Sequence, residues 1–538
     1  MKLINVLNLN KKRAVIAGVV ALILSLSLVL GYQTENYSTV TFSAGAVLAF
    51  IGVLVLSFCL VVILYFGLDK LAVSVPAPKC ERVRFPREFL ISFIALFILF
   101  SISFVALYPG LFVFDAAWQL SMFREHTISE HQPVLHTVLL GAIVGIIKNE
   151  AHANKGVALY SIFQYTLSAL ALAYSAAYLF KRTKRYFVWI FSILFFGCFT
   201  PIVLQVLSAT KDTLFLLAVL MMFTLCLELF DRSGEGIEIV KEGKADPSGI
   251  AKVALFIFCT ALAAIFRNNC IYALPFFFIP LFIFLKGKRK IAAIIAAGTV
   301  ILFAAYKLFF VPAFLDEKVD GREFYPVPAQ QLARIYLDED ADITADEKAL
   351  IEKVIDKEAI ENYQPKIADK VKSGLDMEYY KSHKKQVQKL YLDLIKKNPG
   401  TAFDAFLELS CGMWYPGCRL TLFNDGRYGY WVIGCYPPAV FKPHIDILYK
   451  YYALFADSYF VTQNPITSLF FAPGTFFFIF AIMFGYAIDR SRREFLTFFI
   501  FIFMLWCTYL LGPLAMVRYS VYLYGMVPFY LLVIRRQS

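Results

Sequence analysis

A carboxylate and two imidazoles stand in one polar segment that directly follows the third apolar run of the chain. Asp115 lies in the stretch from Tyr108 to Gln119, and His131 and His136 follow it. A carboxylate within hydrogen-bond reach of a hydroxyl can accept its proton, and imidazoles can transfer protons or bind a metal ion. The structural alternatives are that the aspartate caps a helix and that the imidazoles suit a bilayer interface.

Three cations stand where apolar runs begin or end. Lys211 opens one run, Arg267 separates two runs in a Phe-Arg-Asn-Asn sequence, and Arg518 opens the last run in Val-Arg-Tyr. A buried cation, arginine in particular, binds phosphate through charge-assisted bonds and stabilises charge on a leaving phosphate. The alternative for each is that a long cationic side chain at the end of a span reaches the lipid headgroups.

The composition places these groups in a membrane protein. Of the 538 residues, 59% are hydrophobic and only 17% are charged, and phenylalanine alone occurs 55 times. No soluble domain needs so much apolar surface, so the sequence predicts an all-α polytopic membrane protein. The net charge of +12 comes from short basic clusters between apolar runs, which argues against a nucleic-acid-binding domain.

Twelve apolar runs are predicted to cross the bilayer, which takes about 20 residues of helix. They lie near 14–31, 41–66, 88–108, 157–180, 187–208, 213–230, 252–266, 271–285, 291–311, 467–488, 495–512 and 518–534. With twelve spans every basic cluster falls on the side of the N-terminus, and the positive-inside rule makes that side the cytoplasm. The run 133–147 has only 15 residues, so we expect an interfacial or re-entrant helix on the outer face.

The segment 312–466 differs in composition and is predicted to form a largely helical extracytoplasmic domain. It holds 23 of the 40 acidic residues of the chain, and its first part has apolar residues at helical spacing, whereas 411–445 is typical of loops or short strands. An oxidising exterior would allow one disulfide among its three cysteines. Cys418–Cys435 and no disulfide at all are the outcomes we consider, with Cys411 as the third thiol.

The polar loop after the third run resembles the first extracytoplasmic loop of GT-C glycosyltransferases, which are multipass enzymes that take a sugar from a polyprenyl-phosphate carrier. Their pattern is an aspartate soon after a core helix and then a His-x-Pro turn, here His131 to Pro133, into an interfacial helix. The resemblance implies an inverting transfer with Asp115 as the general base. The Arg-Tyr pair that opens the last run resembles C-terminal arrangements of the same enzymes.

This resemblance implies that Arg518 binds the donor phosphate together with Lys211 or Arg267. Loop residues that would contact the acceptor or a divalent cation are Gln119, His131 and His136. In the outer segment, Gln331 and Arg334 would reach donor or acceptor, and the alternative is an ordinary contact between the domain and the membrane.

The chain from about 88 to 534 also looks like an uncharacterised bacterial multipass family with GT-C-like architecture. The motifs that carry this likeness include Tyr325-Pro-Val-Pro, Lys211-Asp-Thr and Asn398-Pro-Gly. The first two spans lie outside this likeness. The predicted organisation is two N-terminal helices in 1–87, a GT-C-like core in 88–311 with its catalytic loop at 109–156, the outer domain in 312–466, and C-terminal helices in 467–538.

These features predict a membrane glycosyltransferase at the outer face of a bacterial plasma membrane, with both termini in the cytoplasm. Its partners would be a polyprenyl-phosphate-sugar donor, a cell-envelope glycan, lipid or protein acceptor, and membrane lipids, but no nucleic acid. A flippase or transporter of lipid-linked glycans is one alternative, although inverted repeats and midspan charges are not apparent. A glycan polymerase or ligase is the other, and it would not need the Asp115 loop.

Overall fold

A computed structural model describes residues 9–74, 84–147, 149, 152–231, 236–241, 243–318, 321–420, 431–456 and 464–535. Within these ranges the protein is all-α apart from one small hairpin, whose strands are Val240–Lys241 and Lys244–Ala245. The predicted fold class, an all-α polytopic protein, is therefore confirmed at this level.

The helices of the first half follow the predicted apolar runs. They are α1 Lys11–Tyr37, α2 Ala44–Ser74, α3 Phe85–Ala106, α4 Ala116–Glu125, α5 Val134–Gly145, α6 Ala153–Thr183, α7 Tyr186–Cys198, α8 Thr200–Leu207, α9 Lys211–Leu229, α10 Pro247–Phe266, α11 Cys270–Ala273, α12 Pro275–Phe284, α13 Arg289–Ala305 and α14 Val311–Phe314.

The second half begins with the outer segment and ends with further apolar helices. They are α15 Pro326–Leu337, α16 Ala345–Val354, α17 Lys357–Glu361, α18 Asp369–Ser373, α19 Met377–Ser382, α20 Lys384–Lys397, α21 Pro399–Trp414, α22 Asp446–Ala456, α23 Pro465–Phe471, α24 Pro473–Asp489, α25 Arg493–Tyr509, α26 Val517–Gly525 and α27 Val527–Ile534.

Among the described residues, eight helical stretches are long and apolar enough to cross a membrane. The pair α7 and α8, bent by 55°, adds a ninth if the two form one span. Helix α5 covers 12 residues, about 18 Å at 1.5 Å per residue, which is well short of a bilayer core of about 30 Å. The other predicted spans correspond to shorter apolar helices, which are Cys270–Phe284, α24 and α25.

The helical part of the outer segment has its own small hydrophobic core. Residues from α15 to the start of α21 form this core, with Ala333, Ile351 and Leu394 fully buried in it. Helix α21 then runs into the core of the apolar helices, where Cys411 and Trp414 are buried. The predicted loop region 411–445 contains no helix after α21 in its described part, and residues 421–430 lie outside the described residues.

The two N-terminal helices are fastened to the rest of the bundle by buried charges. Arg13 of α1 is 2% exposed and pairs with Asp69 at 2.8 Å and with Asp489 at 2.6 Å. Further along α1, the Ser27 hydroxyl donates to the carbonyl of Trp414 at 2.6 Å. Helix α1 therefore contacts α2, α21 and α24 through these groups.

The loop that carries Asp115 is held by backbone pairing on both sides. The Leu111 N–H donates to the carbonyl of Leu207, the Ala209 N–H donates to the carbonyl of Leu111, both at 2.9 Å, and the Tyr436 N–H donates to that of Phe112 at 2.8 Å. Gly110 permits this path, since its φ is +108° and a Cβ there would overlap Ser161. The loop is thus fixed beside the turn that precedes α9.

One of the two outcomes considered for these cysteines, a Cys418–Cys435 disulfide, is not formed. Cys435 lies beside this pinned loop, where its thiol donates to the carbonyl of Gly110 at 3.3 Å. Cys418 lies instead near Cys411. The Cys418–Cys435 pairing is therefore not found, because Cys435 contacts the loop at Gly110 whereas Cys418 lies beside Cys411.

Candidate functional site

Five charged side chains from four separate parts of the chain meet at one end of the apolar helices. The Arg518 guanidinium lies 3.2 Å from the Asp115 carboxylate and 3.5 Å from that of Asp212. Lys211 reaches the Asp115 carboxylate at 3.5 Å, and Arg267 forms an ion pair with Asp212. All three cations and the aspartate predicted for the site are therefore brought together, and Asp212 joins them.

Asp115 occupies the N-cap position of α4 without acting as a cap. Its side chain accepts no hydrogen bond from the helix and points instead to Arg518 and Lys211. The preceding Phe114 has φ +56°, a left-handed conformation that is unfavourable for a bulky side chain. Backbone of this kind persists where the surroundings enforce it, and such places are often functional sites.

Aromatic rings hold the two guanidinium groups in place. Tyr519 lies between them, with its ring centre 4.5 Å from Arg267 and 4.9 Å from Arg518. Phe114 covers Arg518 on another side at 4.5 Å, and Tyr509 stacks on Tyr519 at 5.8 Å. Cation–π contacts of this type stabilise a desolvated guanidinium by about 2 kcal/mol. The arginines are therefore fixed in position and do not extend freely toward headgroups.

The site carries an excess of positive charge. Three cations (Lys211, Arg267 and Arg518) face two carboxylates (Asp115 and Asp212), which leaves a net charge of +1. Burial opposes the charged form of Asp115, but the positive charges of Arg518, Lys211 and Arg267 outweigh it and hold the pKa of the carboxyl below its usual range. The carboxylate is therefore ionised at neutral pH.

Accessibility differs sharply among these groups. The Asp212 side chain is 1% exposed, whereas that of Asp115 is 28% exposed; Lys211 and Arg267 are at 11% and 14%. A ligand that enters the site therefore meets Asp115 first, with the amine of Lys211 beside it. Asp212 neutralises arginine charge from the buried side.

The structure places His136 among neutral partners and outside the ion pairs of the charged cluster, and its predicted contact with acceptor, phosphate or metal stays a prediction. Its ring is fully buried between α4, α5 and α6, with Nδ1 3.0 Å from Gln119 and Nε2 2.9 Å from the Tyr160 hydroxyl. Burial and the positive charge of Lys211 lower the pKa of His136 to about 3, so the ring is neutral. Both ring nitrogens are already occupied.

Gln119 likewise joins helices and does not face a ligand. It is 1% exposed, its carbonyl oxygen pairs with His136, and its amide donates to the Thr137 hydroxyl at 3.0 Å. Its predicted contact with acceptor or metal stays a prediction. Its role in the structure is to lock α4, and with it Asp115, against α5.

His131 lies at the edge of the site but pairs with the outer segment. Its Nδ1 is 3.2 Å from Glu323, and its ring packs edge-on against Trp118 at 4.8 Å. Burial favours a higher pKa for Glu323, but hydrogen bonds from His131 and Lys372 and the charge of Lys372 lower it to about 2. His131 therefore connects the loop to the outer segment.

Gln331 and Arg334 belong to the packing of the outer segment. The Gln331 amide donates to the carbonyl of Ala402 at 2.9 Å and its oxygen accepts from Tyr391 at 2.6 Å. Arg334 forms an ion pair with the buried Glu408. Neither side chain reaches the charged cluster, and their predicted contact with donor or acceptor stays a prediction.

A divalent ion between Asp115 and the two histidines does not fit this geometry. His136 is saturated by protein partners, and His131 is paired with Glu323. Within the described part of the chain, one group of metal-capable side chains converges, and it consists of Glu35, Cys411 and Cys418. That group is separate from the charged cluster in its residues and its contacts.

Two residues that contact the charged cluster were not predicted from the sequence. Asp212 was visible beside Lys211, but its pairing with two distant arginines was not. Gln132, inside the His-x-Pro turn, accepts a hydrogen bond from the Lys211 amine and so helps to aim it at Asp115. Its position between His131 and Pro133 was the signal that could have suggested a role.

A comparison with known families matches residues 113–418 of this chain to a model described as "Family of unknown function (DUF6020)". The match covers more than half of the chain, so the protein belongs to this family. It includes Asp115, Lys211, Asp212 and Arg267. No curated protein and no solved structure matches the chain.

The two carboxylates should differ in their effect on stability. Asp212→Asn leaves two buried guanidinium groups without a full counter-charge and should lower the free energy of unfolding by about 3–5 kcal/mol. Asp115→Asn should cost less, about 1–2 kcal/mol, because the group is partly exposed and Arg518 keeps Asp212 as a partner. The measurement is the thermal unfolding of wild type and both variants in the same detergent. An equal loss of stability in the two variants would contradict this prediction.

Proposed function

We propose that this member of the DUF6020 family is a membrane glycosyltransferase of GT-C type. It transfers a sugar from a polyprenyl-phosphate donor to a cell-envelope acceptor at the outer face of the membrane. The observation that supports this most strongly is the accessible Asp115 carboxylate held by Arg518 and Lys211 within a cluster of net positive charge. In this arrangement a proton acceptor lies within a few ångströms of the cations that would bind a phosphate.

The cations of the cluster bind the donor phosphate in this proposal. Arg518 offers a planar set of donors for phosphate oxygens, and Lys211 adds a point charge from the neighbouring helix start. Arg267 contributes positive potential from behind, since its own partner is Asp212. These charges also stabilise the phosphate as the bond to the sugar breaks and negative charge builds up on the leaving oxygen.

Asp115 acts as the general base once the phosphate has bound. In the free site its proton affinity is low, because Arg518 and Lys211 stabilise the carboxylate. A phosphate that takes over these cations supplies negative charge and raises the proton affinity of the carboxylate. The acceptor hydroxyl then gives its proton to Asp115, its oxygen attacks the anomeric carbon, and the phosphate departs with the electron pair of the broken bond.

The site lies on the outer face in this proposal because of the basic clusters. Twelve spans would place Lys11 to Arg13, Lys181 to Arg185, Lys286 to Lys290 and Arg490 to Arg493 in the cytoplasm together with both termini. The same topology places the start of α4, the start of α9 and the outer segment on the opposite side. A polyprenyl-phosphate presented at that leaflet has its phosphate near the helix ends that form the cluster.

Asp115→Asn should abolish transfer while the protein remains folded and expressed. The amide keeps the size of the side chain but cannot accept a proton from the acceptor. The measurement is the envelope glycan profile of a deletion strain that carries either wild-type or variant protein at matched levels. We expect the wild-type gene to restore the missing glycan and the variant to leave it absent.

Asp316→Asn serves as the matched control, since this carboxylate accepts from the backbone of Ile128 and lies outside the cluster. A normal glycan profile with Asp115→Asn would remove the base from the proposal. If Arg518→Ala alone abolished the profile, a polymerase or ligase that needs the cations but no such base would be favoured.

Arg518→Ala should weaken transition-state stabilisation by about 2–4 kcal/mol, or roughly 30- to 1,000-fold in rate. Arg518→Lys should recover only part of the loss, because an ammonium cannot make the bidentate contact. Binding of a polyprenyl phosphate is measured with the purified variants in detergent. Turnover is measured in membranes that contain the same variants.

Arg322→Ala is the control for the loss of one arginine, since this residue lies in the outer segment and donates to the carbonyl of Ser373. Equal affinity and equal turnover for wild type and Arg518→Ala would mean that the guanidinium has no part in donor binding. The phosphate site would then have to be assigned to Lys211 and Arg267.

A further inference from the structure

Two thiols and a carboxylate meet at the junction between α1, the outer segment and the C-terminal helices. Cys411 is in the last turn of α21, and Cys418 follows the turn after it. Their sulfur atoms and a carboxylate oxygen of Glu35 all lie within 4.8 Å of one another. Both thiols are buried, with exposures of 0% and 3%. The sulfurs are therefore near enough to react with each other and shielded from outside reagents.

A metal ion is one occupant that such a group could hold, but the surrounding charges disfavour it. Both carboxylate oxygens of Glu35 are already engaged, one by Lys366 at 2.7 Å and the other by Arg419 at 3.0 Å. A divalent cation would have to displace these contacts and lie beside two positive charges. The spacing from Cys411 to Cys418 also differs from the short spacings of structural zinc sites.

We propose that Cys411 and Cys418 are joined by a disulfide in the mature protein. The proposal rests on the outward orientation in the proposed function, because disulfides persist in oxidising compartments. The two thiols lose two protons and two electrons, and a disulfide of an extracytoplasmic thiol–disulfide oxidoreductase is reduced to two thiols in exchange. Because the sulfurs are buried in the folded protein, the exchange takes place during folding.

The bridge would secure a crowded junction. The turn that it closes carries Tyr415, whose ring lies against Gly31 of α1 and whose backbone lies against Gly474 of α24; a Cβ at either glycine would overlap it. The carbonyl of Trp414 in the same turn accepts the hydrogen bond from Ser27. A disulfide here would hold this turn in the conformation in which Tyr415 packs against α1 and α24.

The test maps thiols in the wild-type protein. Cells are lysed directly into denaturant that contains N-ethylmaleimide, so that every free thiol is alkylated as the protein unfolds, and the protein is then purified, digested with trypsin and analysed by mass spectrometry without reduction. Cys411 and Cys418 fall in one tryptic peptide, from Asn398 to Arg419. We expect this peptide to carry no maleimide and to lack two hydrogen atoms, and chymotryptic cleavage after Trp414 should leave its halves linked. Reduction should then separate them.

Cys435 is the internal control, since its thiol should be alkylated in the same sample. Two alkylated thiols in the 398–419 peptide would overturn the proposal, and so would one zinc ion per chain in protein purified without chelator. A Cys435→Ser variant should leave the bridged peptide unchanged.

A separate measurement distinguishes failure of the bridge from failure of the orientation. His126→Cys should react with a membrane-impermeant maleimide from outside, and Lys290→Cys should be protected. Free thiols together with this labelling pattern would overturn the disulfide alone. The reverse labelling pattern would overturn the outward orientation, and with it both proposals.

Discussion

The site depends on the two ion pairs that the Asp115 carboxylate forms, one with Arg518 and one with Lys211. Without ion pairs, charged groups at this depth would be expensive to bury. Asp212 and the aromatic rings of Tyr519 and Phe114 offset the free-energy cost of burying the arginines. Asp115 adds a second negative charge from the accessible side. The cluster keeps one positive charge in excess, which suits an anionic ligand.

The fold serves this cluster by bringing helix ends together. The starts of α4, α9 and α26 and the end of α10 each contribute a charged side chain. Backbone hydrogen bonds join the loop before α4 to the 207–209 turn and join Phe112 to Tyr436. These bonds hold Asp115 close to Lys211. The buried network of Gln119, His136 and Tyr160 then holds α4 against α5 and α6. Positional precision of this kind is what a reacting carboxylate requires.

The sequence predicted the long apolar helices because these coincide with long apolar runs of the chain. It also singled out Asp115, Lys211, Arg267 and Arg518, since ionisable groups at the ends of apolar helices are conspicuous. The histidines and Gln331 illustrate the opposite case, because the sequence does not show which groups their side chains contact. Whether His136 faces a ligand or the interior depends on packing against Gln119 and Tyr160, which no local pattern reveals. Asp212 was missed because its partners lie far away in the chain.

In the proposed function, Asp115 and a phosphate compete for Arg518, and the affinity of Asp115→Asn for a polyprenyl phosphate measures this competition. If the carboxylate must release its cations when phosphate binds, removing its charge should tighten binding by about 10- to 100-fold, even though transfer is lost. The measurement is a titration of wild type and variant in the same detergent and salt, with unfolding temperatures recorded for both. Equal or weaker binding by a folded Asp115→Asn protein would contradict the competition.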